Sequence, residues 1–298
     1  MRIDLHTHST ASDGTLSPAE LMRAAATARL DVIALTDHDT TRGWDEAAEA
    51  LPAGLSLVRG AELSCRHSAA GGATSAATAP DDNGDGISLH LLAFLFDPAE
   101  PALAEQRRRV REGRLLRGRT MLDRLTAAGF DLSWDEVLQD ARGGTVGRPH
   151  LARALVRGGY VSDVDTAFGP QWLATRGPYW SAKYEIGAAA AIGLVRAAGG
   201  VSVLAHPRAG KRGRTLTDAD IADLAAAGLT GLEVEHEDHS PDERRQLVGL
   251  ADDLGLITTG SSDFHGTNKS TQLGSWLTEP AAYDAITAAA TGCAVITG

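Results

Sequence analysis

The chain predicts an α/β fold, either a barrel or an open sheet, and three observations carry that expectation. Seven short apolar segments alternate with Ala/Leu-rich helical stretches, helix-start signals fall between them, and side chains suited to metal ligation recur where strands begin or end. The expected strands are Arg2 to His6, Asp31 to Thr36, Ser56 to Leu63, Ser88 to Phe96, Val201 to Ala205, Gly231 to His236 and Leu256 to Gly260. Ser240-Pro241-Asp242-Glu243 supplies an N-cap, a first-turn proline and a capping glutamate, and Ser133-Trp134-Asp135-Glu136 repeats the box. Two stretches break the alternation. Ser68 to Gly86 is almost entirely Ala, Gly, Ser, Thr, Asp and Asn, which buries too little apolar area to order itself and predicts a flexible loop. From Pro98 to Tyr184 helices follow one another with no clear strand, which predicts a helical insertion, 98–184, capping the mouth of a barrel built from 1–97 and 185–298.

With 298 residues, 43% of them hydrophobic, the chain can bury a sizeable core. A net charge of −11 argues against whole-surface binding to nucleic acid or to anionic membrane, and leaves room for a local basic groove that takes a phosphorylated ligand. A small-molecule partner follows, with no membrane and no stable protein partner implied. Cys65 and Cys293 stand far apart without CxxC spacing, so reduced thiols in a cytoplasmic protein are expected. No apolar run reaches the roughly 18 residues of a membrane span. The first expected strand begins at Arg2, which predicts no signal peptide and a cytoplasmic location.

Six histidines and three carboxylates, His6, His8, Asp13, His38, Glu62, His90, His206, Asp263 and His265, recur along the chain, nearly every one where an expected strand stops or starts. Residues i and i+2 of a strand share a face, so His6 and His8 can reach one metal if the strand runs through Thr7. Within Thr36-Asp37-His38-Asp39-Thr40, His38 is the expected ligand; Asp37 and Asp39 either fix its tautomer or cap a helix. If the third and fourth strands pair antiparallel, His90 returns beside Glu62, whose carboxylate can bridge two cations. Pro207 stops the strand that ends at His206, and Asp263 and His265 repeat the i, i+2 spacing. Nine candidates exceed the needs of a mononuclear site, so two or three divalent ions are expected. Glu62, Asp263 and His38 are the residues assigned to catalysis.

DLHTHS, Asp13-Gly14, ALTDHDT, Gly60-Ala61-Glu62, LLAF after His90, LAHP and SSDFHG together resemble the PHP (polymerase and histidinol phosphatase) superfamily over most of the chain. Val146-Gly147-Arg148-Pro149-His150-Leu151-Ala152-Arg153-Ala154-Leu155 is similar to the insertion of its stand-alone nucleoside 3',5'-bisphosphate phosphatases and 5'-to-3' exoribonucleases. The resemblance implies a distorted (β/α)7 barrel with a trinuclear centre of manganese, iron or zinc. It carries His6, His8, Glu62 and Asp263 to one metal, Glu62, His90 and His206 to a second, and Asp13, His38 and His265 to a third. The chain departs from the family in the long connection between Glu62 and His90, which fits a lid or a plain insertion.

Phosphate needs fixed cationic donors, and an arginine fork matches its oxygens best. Arg148, ahead of a helix-starting proline, is the first candidate, with His150 nearby and Arg208 and Lys183 behind it. The arginine-rich helix from Glu105 to Leu125 reads either as a solvated face or as a surface that steers nucleotides. Trp44, Tyr179 and Trp180 are base-stacking or packing residues, and His236 or His239 could protonate the leaving group. The expected chemistry is phosphate hydrolysis, with a metal-bridging hydroxide attacking phosphorus in line while Arg148 and the metals neutralise the phosphoryl oxygens. The substrate is a nucleotide, most directly the 3'-phosphate of a bisphosphate, or short 5'-phosphorylated RNA. An amidohydrolase acting on a C–N bond and a metal-free interaction module are the competing classes.

Overall fold

The structure is a computed structural model that describes residues 1–68, 86–141, 143–210 and 213–298. Apart from Ser68 and Gly86, the loop expected between the third and fourth strands lies outside the described residues. The elements run β1 (Ile3–Thr7), α1 (Pro18–Thr27), β2 (Val32–Leu35), α2 (Trp44–Glu49), β3 (Ser56–His67), β4 (Ile87–Phe94), α3 (Pro101–Ala127), α4 (Trp134–Asp140), α5 (Arg148–Arg157), α6 (Val164–Ala167), β5 (Ile186–Gly187), α7 (Ala188–Ala197), β6 (Val201–Leu204), α8 (Asp218–Ala226), β7 (Gly231–Glu235), α9 (Pro241–Leu254), β8 (Ile257–Gly260), α10 (Pro280–Ala289) and β9 (Ile296–Thr297).

The main sheet runs β1-β2-β3-β4-β6-β7-β8. All its neighbours are parallel except β4, which lies antiparallel to both β3 and β6. The two ends approach each other: Phe264, just past β8, bridges to Thr7, and His8 N–H donates to Phe264 O at 2.9 Å. The sheet is thus a nearly closed, distorted barrel. Alternate residues of single strands fall in different apolar clusters, Ile33 and Leu35 with the helices, Val32 and Ala34 with Ile3, Leu5, Phe94 and Val203. Burial on both faces is what closure and a helical jacket require.

Helix boundaries follow the predicted chemistry. Ser240 and Glu243 form a reciprocal capping box, and Gly255 ends α9 with φ 65°, a left-handed geometry that glycine takes without a Cβ penalty. Ser133 caps α4 by accepting from Glu136 N–H. The seven expected strands are present, and two features differ. β3 continues past Leu63 to His67, because Ser64 and Cys65 stay buried while pairing with β4 on one side and β5 on the other. β5 and β9, at two residues each, are too short to give a period in the sequence.

Between β4 and β5 the chain holds α3 to α6, which gather around an apolar cluster of their own, including Met121, Leu125, Val137, Leu151 and Leu155. α3 also reaches the barrel's cluster through Leu103 and Val110. Trp44, a candidate for base stacking, is core: its Nε1–H donates to Gly60 O at 2.9 Å and its ring packs on Phe96. Tyr179 packs beside Phe130 and Trp172. Cys65 and Cys293 are free thiols. Among the described residues no helix is long and apolar enough to cross a membrane.

Candidate metal centre

All nine candidate ligands converge at one end of the sheet. β1 runs through Thr7 and bulges between Asp4 and Thr7, and the Nε2 atoms of His6 and His8 come within 3.0 Å. Glu62 is the hub. Its Oε2 lies 3.2 Å from His6 Nε2, 3.1 Å from His8 Nε2 and 3.1 Å from His38 Nδ1. Its Oε1 lies 2.7 Å from His90 Nδ1 and 3.1 Å from His206 Nε2. The antiparallel register that pairs Ser64 with His90 brings the fourth strand back to Glu62. Asp263 Oδ1 stands 3.3 and 3.4 Å from His6 and His8, and Asp13 stands 3.5 to 3.8 Å from His265, His38 and His8. Three overlapping donor groups result: His6, His8, Glu62 and Asp263; His8, Asp13, His38 and His265; and His38, Glu62 and His90.

Backbone geometry aims these side chains. After β2 the chain makes one more parallel bridge, His38 to Glu62, in which Asp39 N–H donates to Glu62 O at 3.0 Å. Asp39, His206 and Asp263 all take positive φ, at 57°, 30° and 51°. Such left-handed conformations cost a residue with a Cβ about 1–3 kcal/mol and persist where surrounding contacts impose them.

The electrostatics fit divalent cations. Burial opposes charge on His6, yet the facing Asp263, Glu62 and Glu233 hold its pKa well above the ordinary value, and His8, under the same burial, is pushed up to about 9 by Asp263 and Glu62. Glu62 and Asp13 sit well below the usual carboxylate range, because surrounding imidazoles outweigh their burial. Burial takes His265 the other way, down to about 4, with His8 adding to it. His38 Nδ1 and His90 Nδ1 are buried and near Glu62 but make no hydrogen bond of acceptable geometry. Three carboxylates and five imidazoles buried together, with His90 half-buried beside them and ring nitrogens so placed, form the hard oxygen and borderline nitrogen donor set that divalent first-row ions take.

Supporting groups lock the donors, and the most important was not signalled as a site residue in the sequence. Glu233, fully buried in β7, accepts from His6 Nδ1–H at 3.0 Å and from His206 N–H at 2.8 Å. With a carboxylate on Nδ1–H, the neutral His6 ring that would ligate an ion carries its lone pair on Nε2, toward Glu62 and His8. A glutamate flanked by Leu232 and Val234, in the middle of a strand and not at its end like Glu235, is the clue that could have marked it. Asp37 and Asp39 do not touch the His38 ring as expected. Asp37 accepts from Ser9 N–H and from the Ser9 and Ser12 hydroxyls, fixing the turn that carries Asp13, and Asp39 accepts from Ser64 N–H and from Arg114. His239 has both nitrogens engaged, Nδ1–H on Val234 O and Nε2 accepting from Arg208 N–H, which leaves it no proton for a leaving group.

The arginine helix is neither wholly solvated nor a plain steering face. Arg108 and Arg119 pair with acids on their own exposed surface, whereas Arg107, Arg114 and Arg117 are buried. Arg114 bonds Asp39 Oδ2 at 2.7 Å, and Arg148 bonds Leu173 O at 3.1 Å with its guanidinium over Phe168. Lys183 pairs with Glu185 at 2.7 Å. His150 spends Nδ1 on its own helix, accepting from Gly147 N–H at 3.0 Å, and the Arg208 guanidinium bonds Leu216 O and Asp218.

The PHP domain family matches residues 4–116. A 3',5'-nucleoside bisphosphate phosphatase of Chromobacterium violaceum is 37% identical over 268 residues, which is 88% of this chain and 87% of that protein. A 5'-3' exoribonuclease of Haemophilus influenzae is 34% identical over 274 residues, 89% of this chain and 90% of its own. Among solved structures, a protein of Bifidobacterium adolescentis described as a metal-dependent phosphoesterase superposes with a TM-score of 0.85 at 34% identity, covering 97% of this chain and 96% of that one. Nine converging donors on a nearly closed barrel and relatives that span almost the full length lead to one conclusion: the chain belongs to the PHP family and is a metal-dependent phosphoesterase.

Proposed function

We propose that the protein hydrolyses nucleotide phosphate esters, with the 3'-phosphate of nucleoside 3',5'-bisphosphates as its main target. The observation that carries this reading is a buried excess of cations beside the metal centre. Arg117 is held well below the ordinary arginine value by burial, with Arg148 and Arg114 adding to it, and burial lowers Lys183 to about 8 despite Glu185. Arg114, Arg117, Arg148 and Lys183 thus share a space where Asp39 and Glu185 are the facing carboxylates, and Arg117 Nε has no hydrogen-bond partner. A second anion relieves that repulsion. The metal ligands are close by: a methyl group on Gly147 would lie 3.8 Å from Arg114 Nη1 and 3.8 Å from Asp13 Oδ2. A bisphosphate presents two anionic groups, one for each half of such a site.

In this reading His6, His8, Asp13, His38, Glu62, His90, His206, Asp263 and His265 hold three ions; carboxylates and imidazoles without a thiolate suit manganese, iron or zinc, and manganese is the ion proposed. Bound ions supply Lewis acidity toward phosphoryl oxygens and lower the pKa of water. Arg148, Arg117 and Lys183 hold the remaining phosphate, and His150 fixes the start of the helix that presents Arg148. The test is product release by the manganese-loaded protein from adenosine 3',5'-bisphosphate, AMP and a short 5'-phosphorylated RNA. Loss of the 3'-phosphate alone supports the proposal, and stepwise mononucleotide release from RNA makes the exonuclease the main activity. Inactivity on all three sinks both.

A further inference from the structure

We propose that His236 is a positioning residue for Asp263: with Lys269 it clamps one carboxylate oxygen so that the other is presented to the metal centre. This rests on reading the nine-residue cluster as the site of divalent ions. His236 follows β7 and is buried. Its Nδ1 accepts from Asp238 N–H at 3.0 Å, so the Nδ1 lone pair is used and the ring proton is on Nε2. Nε2–H therefore donates, and what it faces is Asp263 Oδ2, at 3.3 Å.

Lys269 reaches the same oxygen from the loop beyond β8, with Nζ 2.5 Å from Asp263 Oδ2 and 3.3 Å from Asp263 O. Two donors on Oδ2 turn Oδ1 toward His6 Nε2 and His8 Nε2, at 3.3 and 3.4 Å. The backbone under this carboxylate has φ 51°, so the side chain is oriented by contacts and not by a relaxed strand. Removing the Nε2–H donor leaves the carboxylate torsion less restrained, and entropy is then lost on ion binding that the native clamp has already removed. Partners that orient a metal ligand are typically worth 10–100-fold in affinity.

The experiment is Mn2+ titration of the metal-stripped full-length protein, reading stoichiometry and dissociation constants from the electron paramagnetic resonance signal of free Mn2+. His236→Leu is expected to weaken one class of bound Mn2+ by about 10–100-fold. His236→Gln, whose amide N–H reaches the place of Nε2–H, restores most of that affinity, while His236→Asn, too short to reach, does not. The Gln and Asn pair keeps the test alive if the leucine variant misfolds. Wild-type affinity in the Leu or Asn variant, or equal losses in Gln and Asn, overturns the clamp alone. A wild-type protein that binds no Mn2+ overturns the metal-centre reading and the clamp with it.

Discussion

Glu62 touches five imidazoles through two oxygens; it belongs to two of the donor groups and reaches His8 and His38 of the third. Its weight in the site comes from position, since β3 supplies it where the chain after β2 and the antiparallel β4 both arrive. His150 shows the opposite case, a candidate whose ring works for its own helix. Burial, then Arg153, lowers its pKa to about 4 from the ordinary 6.5. The sign follows directly: between 6.5 and 4 the unfolded chain takes up a proton that the folded protein refuses, so stability contributed at neutral pH is lost as the pH falls through that window. At pH 5 the loss is about 2 kcal/mol relative to pH 7.5. His150→Asn keeps a side-chain acceptor for the cap and removes the titration. Urea unfolding at the two pH values should show a smaller drop in the variant by about that amount; equal drops would mean that His150 titrates normally in the fold.

At the scale of elements, α3 is latched to the β2–β3 junction by one buried pair. Arg114 donates to Asp39 Oδ2 and to the Ser64 hydroxyl, while Arg111 donates to Asp39 O. Leaving one charge of a buried pair uncompensated costs about 3–5 kcal/mol. Arg114 also repels Arg148 and Lys183, so removing it returns part of that cost, and Arg114→Met should lie near the lower end, about 3 kcal/mol. Asp39→Asn combined with Arg114→Met should recover more than half of the loss in denaturant unfolding. A double variant as unstable as the single one would place the energy in lost packing and not in charge. Elements of this kind mark the limit of what the chain discloses. Strands and caps are legible because period and capping chemistry are local, and the convergence of nine donors is legible because each sits in a short motif at a strand end. Glu233 and His236 act through contacts set by tertiary structure, 227 residues from His6 and 27 from Asp263; Lys269 lies only six residues past Asp263, but in an irregular loop with no period to aim its side chain. The arginine run misleads for the same reason, since spacing alone does not tell which face of α3 meets the barrel.

The described apolar interior is shared between the barrel, with two clusters, and the insertion, with one, and α3 takes part in both halves, with Leu103 and Val110 in a barrel cluster and Met121, Leu122 and Leu125 in that of the insertion. Contacts between the halves at the site are polar: beside the Arg111 and Arg114 bonds to Asp39, Thr145 N–H donates to Ala11 O at 3.1 Å, and the Thr145 hydroxyl donates to His38 O at 3.0 Å. The candidate metal donors all belong to the barrel, while Arg117 and Arg148 belong to the insertion. Stability of the two halves should therefore separate, and so should their functions. Leu151 is fully buried in the insertion's cluster, and Leu151→Ala should cost about 2–5 kcal/mol there. Amide hydrogen exchange would then lose protection in α4, α5 and α6 and keep it in β1, β2, β6 and β7. The same variant should bind Mn2+ with native stoichiometry and raise KM for the bisphosphate more than it lowers kcat, because in the proposed reading the groups it loosens hold the distal phosphate. Uniform loss of protection across barrel and insertion, or loss of metal together with substrate affinity, would mean that the two halves fold as one unit and that the insertion supports the metal centre itself.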